Sequence, residues 1–219
     1  MVIINTVQQY SHLETLIQKN DSIVLQVNSD TNLHSIENKI SLVYIHVDNE
    51  EFMLPINHSE STTKFKNIIT KKTIWVFDKK NYLHNSFIKS VNVRDLNYSY
   101  YLKHNIPFET EKYLTNAHQF YNRVHYDKPN INDVIPLLKH YEYLKELRKN
   151  LQEYLIKNDE IILEVLSKIE TNGLQTIDKL VYSEYNPLTT TGRPSNRYGG
   201  VNFAALNKTD GSRKQFISR

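Results

Sequence analysis

The chain has 219 residues, no cysteine, 39% hydrophobic residues and a formal net charge of +3. Without cysteine there can be no disulfide, thiolate zinc site or cysteine nucleophile, which suits a reducing compartment, and a cytoplasmic location is expected. No run of about 18 apolar residues is present, and the segment Met1 to Gln18 lacks the basic head of a secretion signal, so no membrane association is expected. All five glycines fall at or beyond Gly173, which excludes a phosphate-cradling loop or dinucleotide fingerprint from the first 172 residues, because both need glycines between a strand and a helix.

In chain order, Ile3 and Ile4 open a possible strand, and Val7, Tyr10, Leu13, Leu16 and Ile17 recur at helical spacing. Ser22 to Val27 reads as a strand. Leu42 to Val47 and Phe52 to Ile56 read as a hairpin turning at Asp48-Asn49-Glu50. Lys71 to Phe77 gives another strand and helix start, and Ser90 to Asp95 a further strand leading into a Tyr-rich helix that begins at Leu96. Strands mixed with helices in this order predict an α/β fold, a mixed sheet with helices against it.

Beyond about residue 108 the pattern is helical. Leu137, Leu138, Tyr141, Leu144, Leu147, Leu151, Tyr154 and Leu155 form one apolar stripe; Ile161, Ile162, Val165, Leu166 and Ile169 form a second, and both are expected to face the core. Asn172-Gly173 closes the second helix, glycine being suited to the left-handed closing position. After Val181 the chain is polar and turn-rich, too poor in apolar residues to offset the entropy of ordering itself, so something outside the tail is expected to hold it. Charge divides at the same place: residues 173–219 hold seven Lys or Arg against Asp178, Glu184 and Asp210, whereas the body is mildly acidic. A basic end of this kind suits contact with a polyanion, although a solvated tail is the simpler reading.

Three blocks in series carry a resemblance. Thr189-Thr190-Thr191-Gly192-Arg193-Pro194-Ser195-Asn196, then Val201 to Leu206 (VNFAAL), then Asp210 to Ile217 (DGSRKQFI) resemble the approach to the palm of family A DNA polymerases. Glu160 to Leu174 (EIILEVLSKIETNGL) is similar to the helix that follows the exonuclease-like domain in that family. Some fifteen residues separate it from the TGR block where a thumb would ordinarily intervene, which implies a thumb absent or vestigial. The resemblance divides the chain into an exonuclease-like domain at 1–158, a connecting helix and strand at 159–182, and a palm-associated segment at 183–219.

The first domain resembles the ribonuclease H-like (DEDD) 3′ to 5′ exonuclease. Such an enzyme uses four carboxylates to hold two divalent metals that activate water and stabilise the leaving oxygen. In this sequence the first carboxylate pair falls on Gln26 and Asn28, the second-motif aspartate lands near Asn81 after Phe77-Asp78-Lys79-Lys80, and only Asp133 could stand at the fourth position. Neutral amides cannot neutralise two dications, which implies an inactive exonuclease. Asp30 and Asp78 could be offered as substitutes, and Asp95 reads as a helix cap.

In the tail, the resemblance implies DNA contacts from Thr191, Gly192, Arg193, Ser195, Asn196 and Asn202, with Lys208, Arg213 and Lys214 adding attraction that salt screens. Backbone N–H groups at Gly192, Gly199 and Gly200 could join them. The palm aspartates and the fingers helix of the family have no counterpart here. The expectation is therefore a noncatalytic N-terminal fragment or subunit whose partners are primer-template DNA and a second polypeptide carrying palm and fingers. No cofactor belongs to this chain; Mg2+ is expected only in that palm. The Asn, Lys and Ile richness suits a phage gene, and hence an infected bacterial host. An alternative is a free-standing adapter built on a dead exonuclease fold; a third reading, a nuclease with substituted ligands, would rest on Asp78 and Asp133. The histidines read as ordinary polar residues, His84 among them having no acidic neighbour at ligand spacing, and Tyr98, Tyr100 and Tyr101 read as packing residues that could alternatively stack on bases.

Overall fold

The computed structural model describes residues 1–29, 40–55, 69, 71–84, 92–106, 108, 144, 147–149, 151, 160–197, 202 and 205–216, with Asn28, Ser29, Ile40, Ser41 and Arg197 described by their backbones only. Short β1 (Val2–Ile3) leads into helix α1 (Val7–Lys19), which begins at a capping box: Thr6 accepts the Gln9 N–H and the Gln9 side chain accepts that of Thr6. Tyr10, Leu13, Leu16 and Ile17 face inward, while Val7 is exposed. Strands β2 (Ser22–Ser29), β3 (Ile40–Val47), β4 (Glu50–Pro55), β5 (Thr73–Val76) and β6 (Val93–Asp95) follow, with helix α2 (Lys79–His84) after β5 and α3 (Leu96–His104) after β6.

These strands form one six-stranded sheet in the order β1-β4-β3-β2-β5-β6. It is mixed: β2, β5 and β6 run parallel, as do β1 and β4, whereas β3 is antiparallel to both its neighbours. The β3–β4 turn is two residues, Asp48 and Asn49, both at positive φ (50° and 62°), one residue tighter than the sequence spacing indicates. Asp and Asn tolerate that region, which matches the twist of the strands they join. Both faces of the sheet are covered. Ile23, Leu25 and Val27 point with Val43, Ile45 and Phe52 toward α1 and Tyr82, while Val24, Tyr44, Met53 and Trp75 point toward Leu96, Leu144, Leu147 and Leu151. Burial on both sides is why β2 reads as a continuous apolar run rather than an alternating one. Arg148 fastens the second layer, donating to Ser22 Oγ at 2.7 Å with its guanidinium 5.4 Å from the Trp75 ring. Leu137, Leu138, Tyr141, Tyr154 and Leu155 lie outside the described residues.

Helix α4 (Ile161–Asn172) departs from expectation. The stripe Ile161, Val165 and Ile169 is exposed, and the buried face is Leu163, Leu166, Ser167 and Glu170. The polar face is inside because buried cations of α2 are there to receive it, which outweighs apolar periodicity. Gly173 ends α4 at φ 66°, ψ 178°, so the positive φ is as expected but the ψ is extended rather than left-handed helical. The chain then forms two small hairpins, β7 (Leu174–Gln175) with β8 (Leu180–Val181) and β9 (Glu184–Asn186) with β10 (Ser195–Arg197). A 3-10 turn at Ser212–Gln215 returns to the first of these, where Thr176 bridges to Phe216 and the Ile177 N–H donates to Gln215 O at 3.0 Å.

Two constraints meet at Gly173. Its backbone lies where only glycine is comfortable, and a Cβ there would stand 2.8 Å from Tyr182 Cε1 and 3.1 Å from Val181 O. Gly173→Ala is expected to cost about 1–3 kcal/mol in urea denaturation, with the midpoint moving and the slope unchanged.

Candidate nucleic-acid interface

The parallel strands β2, β5 and β6 end on one side of the sheet, the side on which open α/β sheets bind ligands. Gln26, on β2, is buried there. Its Oε1 accepts the Phe77 N–H at 3.2 Å and its Nε2 donates to Val27 O at 3.3 Å, so both ends of the amide are used in joining β2 to the end of β5. A neutral amide so engaged does not fit a ligand of a metal pair. Asn28 pairs with Leu42 beside a register shift between Asn28 and Ser29. Asn81 lies in the first turn of α2, where its N–H donates to Asp78 Oδ1 at 2.8 Å. Asp30 and Asp133 lie outside the described residues. Among the described residues no group of three or more His, Asp or Glu is placed to hold a metal ion.

Asp95 caps α3 through Oδ1, which accepts the Tyr98 N–H at 2.7 Å, and caps α2 through Oδ2, which accepts the Lys79 N–H at 2.7 Å. Burial, reinforced by the neighbouring Asp78, pushes its carboxyl well above the ordinary range against the pull of these two amides. Its backbone N–H in turn donates to Glu160 Oε1 at 3.1 Å. Glu160 Oε2 and Glu164 Oε1 receive Lys79 Nζ at 3.1 and 2.8 Å.

Further along α4, Glu170 has no exposed surface. Lys80 Nζ lies 2.7 Å from its Oε1 and His84 Nε2 2.7 Å from its Oε2, so His84 does have an acidic partner, from a helix that sequence spacing could not relate to it. Glu170 also accepts the Tyr185 N–H, and Lys80 donates to the Tyr185 carbonyl. Strand β9 is thus held at both backbone atoms of one residue. The Tyr101 hydroxyl donates to Thr189 O and adds a second attachment. The tail is therefore fastened in part by its own body. A small cavity of about 40 Å³ remains beneath it, lined by Asp78, Asp95 and Tyr98 on one side and Asn186, Pro187 and Leu188 on the other.

Beyond these attachments the hairpin loop reaches into solvent. Thr191, Gly192 and Arg193 are exposed at its end, and Ser195 is exposed on β10. The loop is closed internally: the Gly192 N–H donates to Thr189 O at 2.9 Å, and Thr189 Oγ1 donates to Arg193 O at 2.7 Å. The Gly192 amide is thereby engaged within the loop itself; Gly199 and Gly200 lie outside the described residues. Gly192 sits at φ 69° with open space around it, so the glycine answers the turn geometry. Asn196 is half-buried, accepting from Ser183 Oγ at 2.6 Å, which orients it inward rather than outward. Asn202, Lys208, Arg213 and Lys214 are exposed, with Arg213 Nε donating to Leu206 O at 3.1 Å. Tyr98 and Tyr101 stack on each other at 6.2 Å, and Tyr100 meets Phe108 edge-on at 5.1 Å, so these rings are packing residues here.

No family model matches the chain, and no curated protein matches it. Solved structures do. The POL domain of Pol1 from M. smegmatis, in complex with DNA primer-template and dNTP, matches with a TM-score of 0.52 at 12% identity, over 80% of this chain and 33% of that one. What the two share is an α/β fold, here a mixed six-stranded sheet with helices against it. Escherichia coli RNase D (TM-score 0.48, 8% identity, 77% of this chain and 46% of that one) and Trypanosoma brucei RNase D (0.48, 16%, 76% and 69%) are also similar. At these identities the likeness is one of fold. Among the described residues no helix is long and apolar enough to cross a membrane.

Sequence reasoning missed the cluster of Lys79, Lys80, His84, Glu160 and Glu170. Its one legible trace is that Glu170 shares a helical face with Leu163 and Leu166, at spacings of seven and four. Burial by itself would push the Glu170 carboxyl up, but the hydrogen bond from His84 and the charge of Lys80, helped by the Tyr185 amide, hold it below the ordinary range. A depressed carboxylate contributes stability that is present above its unfolded value, near pH 4.3, and is lost as pH falls through the folded one. Glu170→Gln leaves the Lys80 ammonium buried without its counter-charge and is expected to cost about 3–5 kcal/mol at pH 7. Difference curves against wild type, from thermal melts between pH 7 and 3, should show this gap closing on acidification.

Proposed function

We propose that this chain is a noncatalytic N-terminal fragment or subunit of a family A DNA polymerase: an inactive exonuclease body that carries a DNA-contacting segment for a palm on a second polypeptide. The observation that carries the reading is the hairpin loop at Thr189 to Arg193, which presents Thr191, Arg193 and Ser195 to solvent while its base is fixed through Tyr185. A phosphate-binding arginine works best on a support whose position is set beforehand, since less entropy is then lost on binding. Arg193 supplies a planar fork for a phosphate, and Lys208, Arg213 and Lys214 supply sequence-independent attraction.

The order of the TGR, VNFAAL and DGSRKQFI blocks supports family A, and the likeness to the M. smegmatis Pol1 POL domain agrees with it at the level of fold. On this reading the thumb is missing or vestigial between 159 and 182, and nucleotidyl transfer with its Mg2+ belongs to the partner's palm. On this reading the exonuclease is inactive, which the commitment of Gln26 to the backbone of Phe77 supports. A phage-encoded split enzyme acting in the cytoplasm of a bacterial host accounts for the Asn, Lys and Ile richness of the composition. The competing reading, a free-standing DNA-binding adapter, is favoured by one observation: the tail is fastened to its own body through Tyr185 and Thr189.

Primer extension separates the two. Mixed with a polypeptide carrying palm and fingers, this chain should restore extension that neither shows alone; an inert mixture with intact DNA binding leaves the adapter. In either case Arg193→Ala should weaken primer-template binding by roughly tenfold and reduce the salt slope of log Kd by about one, at unchanged melting temperature.

A further inference from the structure

The outer face of α4 and the hairpin after it carry five exposed apolar side chains: Ile161 (58% exposed), Val165 (48%), Ile169 (39%), Leu174 (37%) and Ile177 (68%). Such a contiguous patch marks an interaction surface. Its relief is specific. Ile161, Val165 and Ile169 form a ridge at intervals of four, and Glu164, Lys168 and Asn172 form the ridge beside it. Between them lies an open hollow of about 330 Å³, lined by Val165, Lys168, Ile169 and Asn172 with Gly173 and Leu174 at its end. The first four stand at i, i+3, i+4 and i+7, the four corners that receive one side chain from a facing helix. The missing Cβ of Gly173 keeps the far end low.

We propose that this face joins two copies of the chain, α4 crossing its symmetry mate near Val165 and Ile161 of each copy entering the hollow of the other. A surface that bears both a projecting side chain and, two turns along, the hollow that fits it is its own complement under a two-fold axis. Ridges at intervals of four interdigitate when two such helices cross at about −50°. The flanking charges agree. A two-fold axis near Val165 brings Glu164 of one copy toward Lys168 of the other, twice over, so the rim attracts itself instead of repelling. Glu164 already holds Lys79 at 2.8 Å and is half exposed, which leaves it open to a second cation. Leu174 extends the apolar lining at the end of the hollow.

The dimer is independent of the polymerase reading, and its test uses no DNA. Because the chain has no cysteine, a single one reports cleanly. Mild oxidation should convert most of Val165→Cys to a covalent dimer and leave Thr190→Cys, exposed on the hairpin loop, monomeric. Light scattering of wild type should show the mass rising from one chain to two with concentration. Val165→Asp, at an exposed position, should raise the dimer Kd at least tenfold without changing the circular dichroism spectrum. Lys168→Glu and Glu164→Lys should each weaken self-association, and mixing the two should restore it. A mass of one chain at every concentration up to about 1 mM, equal cross-linking of the two cysteine variants, or a dimer indifferent to Val165→Asp would each overturn the proposal.

Discussion

Glu170 carries its charge with no exposed surface, and an ionised carboxylate in that position survives only if every lone pair finds a cation or an N–H. Lys80 and His84 come from α2, the glutamate from α4 and the Tyr185 amide from the tail, so three parts of the chain separated by up to 105 residues are obliged to meet at one point. Burial of a charge is costly, and partial satisfaction costs more than none; the cluster therefore acts as a specification of geometry more than as a source of stability.

The consequences run outward in both directions. Inward, the parallel strand ends are closed over by Asn186 to Leu188, and the polar residues there serve backbone joints: Gln26 for Phe77, Asp95 for the starts of α2 and α3. Among the described residues at these strand ends, the polar groups are spent on holding strands, helices and tail together. Outward, fixing Tyr185 fixes the root of a hairpin whose loop is closed by its own hydrogen bonds, so Thr191 and Arg193 are offered from a support instead of a free tail.

The same constraint sets the face of α4. With Glu170 and Ser167 turned inward, the isoleucine and valine ridge is turned out, and the helix presents to solvent the surface that its composition assigns to a core. The exposed ridge and the buried carboxylate are two sides of one helical rotation. A helix so placed is stable as part of the body because Leu163 and Leu166 still pack inward, and it leaves an apolar face to spare.

The sequence by itself determined the sheet and the helices on it. The run at Ser22 to Val27, the hairpin at Asp48-Asn49-Glu50 and the capping residue Asp95 act through neighbours within a few positions, and local chemistry of that range is legible without coordinates. It also carried the TGR, VNFAAL and DGSRKQFI blocks, whose meaning lies in their order. What only the tertiary structure decided are the pairings across long separations: Lys80 with Glu170, His84 with the same carboxylate, Gln26 with the Phe77 amide, Tyr101 with Thr189. Apolar periodicity ranks the faces of a helix by how much each gains on leaving water. It is silent on a charged residue that gains a partner only after another helix has arrived, and the orientation of α4 and the seating of the tail were decided by that partner.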